Sequence, residues 1–329
     1  MTKTVLFTFF VLVATLVNAQ TCKEVDLRPQ LGPIQNQNGT DWCFAYPASD
    51  IVSFQLGQRV SPADIAVQYH RDWANRQLKY GLTTTEKLRQ AREEEAINEM
   101  GGFVHYSIEA TAPGGFCADE KINLNDLVAA KAAGDPFRFL DELNMNKFNY
   151  ASAETVECYK FHMIQKLTPW NSFEEIEKIA KQNTLADVSG VMADQACGER
   201  IKPVPRIVVK TLEQAFDPVK KTSAVLSEPQ TNQMNRTISS GKPVAIAVYL
   251  EKLKFFNSGD EKHQRHAMTI AGRKFNPATG KCEYILRNSW GPECESGWKP
   301  GVRCDRNSGY LFVDPDILEQ AIYKAHYIE

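Results

Sequence analysis

The chain has 329 residues, 43% hydrophobic and 24% charged, a balance that fits one large globular domain or two lobes. Its formal net charge of −2 gives no reason to expect a polyanionic partner. No basic run or basic–aromatic stripe points to nucleic acid.

The first nineteen residues stand apart. Lys3 precedes an apolar run over 5–17, and Val17-Asn18-Ala19 closes it with a small residue at a candidate cleavage point. This predicts a secretory signal peptide. The run is too short to span a bilayer, and no later stretch is long enough. Export is expected, to an extracellular, periplasmic or lysosome- or vacuole-like compartment. Eight cysteines fit an oxidising setting. If Cys43 carries chemistry, Cys22, Cys117, Cys158, Cys197, Cys282, Cys294 and Cys304 remain. That set is odd, so at least one stays outside intrachain pairing. Cys294 and Cys304 could close a short loop. Irregular spacing and the lack of a CxxC pair argue against zinc, and no cofactor is expected.

Residues 33–56 hold the densest signal. Gln37 precedes Cys43 across a polar turn, and Phe44, Ala48, Ile51, Val52 and Leu56 are spaced for one buried helical face. Cys43 thus falls near the N-terminus of a core helix, where unpaired N–H groups and the dipole favour a thiolate. Pro47 lies inside that helix, so its first turn is expected to be distorted or to start late. Ser61-Pro62 predicts a capped helix through about residue 73. Thr83 and Glu86 form a capping-box signal for a charged helix to about residue 100, which Gly101-Gly102-Phe103 breaks. Residues 115–235 read as a partly helical insertion, with helices over 129–144 and 172–182.

From 240 the texture becomes β. Residues 243–250, 266–272 and 284–288 are short apolar runs, the last two joined by a turn at 276–280. Helices first and strands later predict an α+β fold. If those last two strands pair, His266 and Asn288 emerge at one end of the sheet. An imidazole beside Cys43 would lower the thiol pKa from about 8.5 to about 3–4. An amide oxygen at Asn288 would fix the ring's tautomer. Gln37 and the Cys43 amide could donate to an oxyanion, and Trp290 could shield the His–Asn bond. Singly, each residue has a structural alternative; their order and spacing give them weight together.

Those blocks resemble the papain-like cysteine peptidases. The similarity lies in Gln37 through Cys43-Phe44-Ala45-Tyr46, in His266-Ala267-Met268-Thr269-Ile270-Ala271-Gly272, and in Asn288-Ser289-Trp290-Gly291. Val60-Ser61-Pro62, Gly101-Gly102-Phe103 and Gly309-Tyr310-Leu311-Phe312-Val313 extend it over about 25–110 and 236–315. The resemblance implies a two-lobed α+β fold, with a mainly helical lobe carrying Cys43. A mainly β, barrel-like lobe would carry His266 and Asn288. It implies peptide-bond hydrolysis through a thioester, most simply by an endopeptidase. Cys43 would be the nucleophile, His266 base and acid, Asn288 the orienting residue and Gln37 the oxyanion donor. Gly101, Gly102, Ala267 and Trp290 would bind substrate. His263 is a rival base without the matching strand after it.

The expected partners are protein or peptide substrates, and a monomer is expected. A silent binding protein, an acyltransferase or an exopeptidase on the same residues are the alternatives. The chain departs from the family pattern at Thr40, where a cysteine is usual, and at Phe44, where tryptophan is. No inhibitory propeptide is recognisable before Gln37, which leaves restraint to the middle region or to a protein inhibitor. The sequon at Asn38 is read as fortuitous.

Overall fold

A computed structural model describes residues 22–37, 42–79, 102–122, most of 190–217, 222–256 and 265–329. The expected signal peptide, the helices over 83–100, 129–144 and 172–182, and Gly101, Cys158 and His263 lie outside the described residues.

The helical part comes first. Strand β1 (Val25–Asp26) and a single turn α1 (Arg28–Leu31) lead to α2 (Ala45–Leu56), α3 (Pro62–Lys79) and α4 (Val104–Thr111). Helix α2 does start late. Its first residue is Ala45, so Pro47 sits in the opening turn, where a missing N–H removes no intrahelical bond. Ser61 caps α3, its hydroxyl accepting from the Asp64 amide at 3.1 Å. The helix runs six residues past its expected end at 73, to Lys79.

The rest is mainly sheet. Strands β2 (Val209–Glu213), β3 (Phe216–Asp217) and β4 (Thr222–Ser223) precede helix α5 (Glu228–Ser239). Then follow β5 (Val244–Tyr249), β6 (Arg265–Asn276), β7 (Lys281–Arg287), β8 (Val302–Cys304), β9 (Leu311–Val313), the turn α6 (Pro315–Leu318) and β10 (Ile322–Ile328). The sheet order is β2-β10-β5-β6-β7-β9-β8, every pair antiparallel, with β1 added alongside β6. The fold is α+β. Residues 209–213, read from sequence as part of a partly helical insertion, form instead β2 of this sheet, paired with β10. Ser227 and Gln230 make the capping box that starts α5.

Side-chain size explains how the layers stack. On β5 and β6, Ala245, Ala267, Thr269 and Ala271 alternate with Val244, Ile246, Val248, Met268 and Ile270. The larger set builds one core with Met234 and Ile238 of α5. On the opposite face, Ala245 and Ala267 join the core of α2, α3 and α4, and their small side chains let α2 lie close against the sheet. Gly272 (φ 140°) marks an irregularity in β6 opposite β1, where a Cβ would fall 2.0 Å from the Val25 carbonyl oxygen.

Disulfides join Cys22 to Cys282, Cys117 to Cys197 and Cys294 to Cys304. Cys43 is in none of them. Among the described residues, no helix is long and apolar enough to cross a membrane, and no group of three or more His, Cys, Asp or Glu residues could hold a metal.

Helix α4 meets the sheet through two histidines. The rings of His105 and His326 stack at 5.2 Å, and His326 Nδ1 lies 3.0 Å from Thr211 Oγ1. Burial, with Lys324 adding, pushes His105 from 6.5 down to about 4. His326 is pushed down by burial, then by His105 and Lys324. The unfolded chain therefore binds more protons than the folded one between about pH 6.5 and 4. This contribution to stability is complete above that window and is lost as pH falls through it. Thermal melts should show Tm falling across the interval, with a shallower slope in His105→Gln.

Candidate active site

The segment before Cys43 is fixed first. Asn36 bridges antiparallel to Trp290, the Gln37 amide donates to the Ser289 carbonyl at 2.6 Å, and the Gly291 amide to Gln35 at 3.1 Å. The Tyr46 hydroxyl donates to the Asn36 carbonyl at 3.1 Å, and the Gln35 side chain to Asp119 at 3.0 Å. Ser289 Oγ donates to Gln37 Oε1 at 2.5 Å. With its oxygen held there, the Gln37 amide presents N–H₂ at the opposite end of the group.

Register then brings the nucleophile candidate toward His266. Thr269 Oγ1 donates to Asp50 Oδ2 at 2.7 Å, fixing α2 against β6. Further along, Phe54 packs on the cluster that holds Ala271; at the start, Cys43 shares a cluster with Ala267. Helix and strand therefore run in the same direction. Cys43 lies seven residues before Asp50 and His266 three before Thr269. At ~1.5 Å per helical residue and ~3.3 Å per strand residue, both step back by ~10 Å, to one end of the layer. Cys43 is 9% exposed, just ahead of α2's first turn. Burial pushes the Tyr323 phenol of β10 up, and the Cys43 side chain adds to the effect.

His266 Nε2 and Asn288 Oδ1 are 2.7 Å apart and buried. An amide oxygen only accepts, so Nε2 carries the proton and Nδ1 is left as the basic nitrogen. Trp290 stacks on the imidazole at 4.5 Å, and Trp298 on Trp290 at 5.9 Å. Burial pushes His266 down to about 4, against the Asn288 bond and the Glu295 carboxylate, with Lys254 lowering it further. Gly102 packs where a Cβ would lie 2.6 Å from Tyr69 and 2.9 Å from Phe44, the neighbour of Cys43. Direct contacts thus join Gln37 to Ser289 and His266 to Asn288 and Trp290. Helix–strand register brings Cys43 and Ala267 to the same end, and Phe44 links Gly102 to Cys43.

Beneath these groups lies a charge pair that motif reading passed over. Arg287 Nε donates to Asp50 Oδ1 at 3.0 Å, and its other nitrogens to the Gly32 and Pro33 carbonyls at 2.8 and 2.5 Å and to the Tyr310 hydroxyl at 3.1 Å. It joins α2, the lead-in to Gln37 and the end of β7 directly before Asn288. Burial pushes the Asp50 carboxyl up, opposed by Arg287 and Thr269. A signal was available: an arginine in an apolar strand and an aspartate on an apolar helix face each need a buried partner.

No family model and no curated protein matches the chain. Solved structures do. Digestive procathepsin L 3 of Tenebrio molitor larval midgut aligns over 93% of this chain and 69% of its own, at 14% identity and TM-score 0.42. The Carica candamarcensis cysteine protease CMS1MS2, in complex with E-64, aligns over 93% and 97%, at 14% identity and 0.42. The ragweed pollen allergen Amb a 11 cysteine protease, in its proform, aligns over 95% and 67%, at 14% identity and 0.43. These similar structures are papain-like cysteine proteases.

Proposed function

We propose that the chain is an exported papain-like cysteine peptidase that hydrolyses peptide bonds in protein or peptide substrates. The observation that carries this reading is the buried His266 Nε2–Asn288 Oδ1 bond under Trp290, at the end of the sheet toward which α2 directs Cys43. Nδ1 takes the thiol proton, and the thiolate left behind stabilises the imidazolium. Sulfur attacks the scissile carbonyl; the Gln37 side chain and the Cys43 amide donate to the oxyanion. The imidazolium returns its proton to the leaving amine, and a thioester remains. The neutral ring then takes a proton from water, which cleaves the thioester and releases Cys43. Three disulfides support an oxidising destination.

The test is alkylation of the purified chain with iodoacetamide, mapped by peptide. Rapid modification of Cys43 in the unsubstituted protein and slow modification in His266→Ala is the expected result. Equal, slow rates in both folded proteins would replace the peptidase with a catalytically silent binding protein.

A further inference from the structure

The stack on His266 does not end at tryptophan. Lys254 Nζ lies 5.0 Å from the centre of the Trp290 ring and 5.4 Å from that of Trp298. Its ammonium also pairs with the Glu295 carboxylate. The Lys254 side chain is 17% exposed, so this cation is largely withdrawn from water onto two indole faces, where cation–π attraction is strongest. Its backbone is fixed too. Lys254 bridges antiparallel to Trp298, the Phe255 amide donates to Gly297 at 2.7 Å, and the Lys299 amide to Leu253 at 2.9 Å. Glu295 follows Cys294, whose disulfide to Cys304 closes the loop carrying Glu295 and Trp298. Imidazole, two indoles, an ammonium and a carboxylate thus form one continuous assembly.

We propose that Lys254 and Glu295 are positioning residues, a charge pair that seats Trp290 on His266 and sets the net field at the ring. This deepens the peptidase reading and rests on it for its meaning in catalysis. The two charges act on His266 in opposite senses, the carboxylate favouring the imidazolium and the ammonium opposing it. Among the described residues, the other groups at the ring are the neutral Asn288 amide, the Trp290 indole and, in the proposed mechanism, the Cys43 thiol; Arg265 precedes it on β6. Placed together, Lys254 and Glu295 oppose one another at the ring. The pair can therefore hold the indoles while each charge offsets part of the other's pull on the imidazole.

The test is a ¹³C-histidine NMR titration of the full chain, with the His266 resonance identified by its loss in His266→Gln. Lys254→Met should move the His266 midpoint up and Glu295→Gln should move it down. The double substitution should return it toward the unsubstituted value while weakening the ring-current shift from Trp290. Shifts of one sign in both single variants, or none in either, would overturn the proposal. Glu295 is 43% exposed at its side chain, so Glu295→Gln keeps the test decisive if Lys254→Met fails to fold. The titration needs no substrate. Opposite shifts in a protein that cleaves nothing would sink the peptidase reading alone, and unmoved midpoints in an active peptidase would sink only this one.

Discussion

Asp50→Ala is expected to lower unfolding stability by about 3–5 kcal/mol, enough to exhaust much of what a typical domain has. The reason is what the substitution leaves behind. Side-chain exposures are 4% for Arg287 and 9% for Asp50, so the guanidinium cannot turn to water when its carboxylate goes. Hydrogen bonds to the Gly32 and Pro33 carbonyls and the Tyr310 hydroxyl satisfy its donors but do not neutralise it. Two controls isolate the mechanism by denaturant titration. Asp50→Ala combined with Arg287→Met removes both charges and should recover a large part of the loss. Asp26→Ala breaks a pair whose side chains are 27% and 44% exposed, and should cost only about 0.2–1 kcal/mol. Equal losses in Asp50→Ala and Asp26→Ala would refute the argument from burial.

His266→Ala should lower kcat/KM toward a peptide substrate by about 10²–10⁴-fold, the range lost with a positioned general base. The protein should still fold, because β6 is held by β5 and β7, with a lowered Tm from the buried imidazole that is removed. pH dependence gives a sharper reading. With His266 pushed down to about 4, Nδ1 is unprotonated near neutrality and becomes occupied as pH falls through that value. Activity of the unsubstituted chain should therefore fall on the acid side near pH 4, not near the 6.5 of an ordinary histidine. An acid limb at 6.5 would mean that the imidazole is not desolvated as described.

The candidate residues stood out in the sequence more sharply than some parts of the scaffold did. Gln37, Cys43, His266 and Asn288 announce themselves because each is a chemically distinctive residue at an element boundary, and the neighbouring strands alternate cleanly. The late start of α2 followed from Pro47 alone. Strand β10 was not anticipated, although Ile322–Ile328 is a pairing partner of both β2 and β5. Its lysine and histidine break the apolar run, and they are explained only by neighbours far away in sequence: Glu213 for Lys324, Thr211 and His105 for His326. The same holds for Asp50 with Arg287 and for Lys254 with the two tryptophans. Periodicity reports which face an element buries, but not which distant charge will be waiting there.

The disulfides bear on how this chain would respond to being cut. Cys22 and Cys282 are joined across 260 positions, and Cys117 and Cys197 form a second closed ring inside the first. Seen as a graph, the backbone from 22 to 282 has no bond whose single scission yields two molecules. A nick anywhere in that span, including between residues 122 and 190, would leave the mass of the disulfide-bonded particle unchanged except for one added water. The fragments would part only under a thiol, so a clipped population and an intact one would run together on a non-reducing gel and separate on a reducing one.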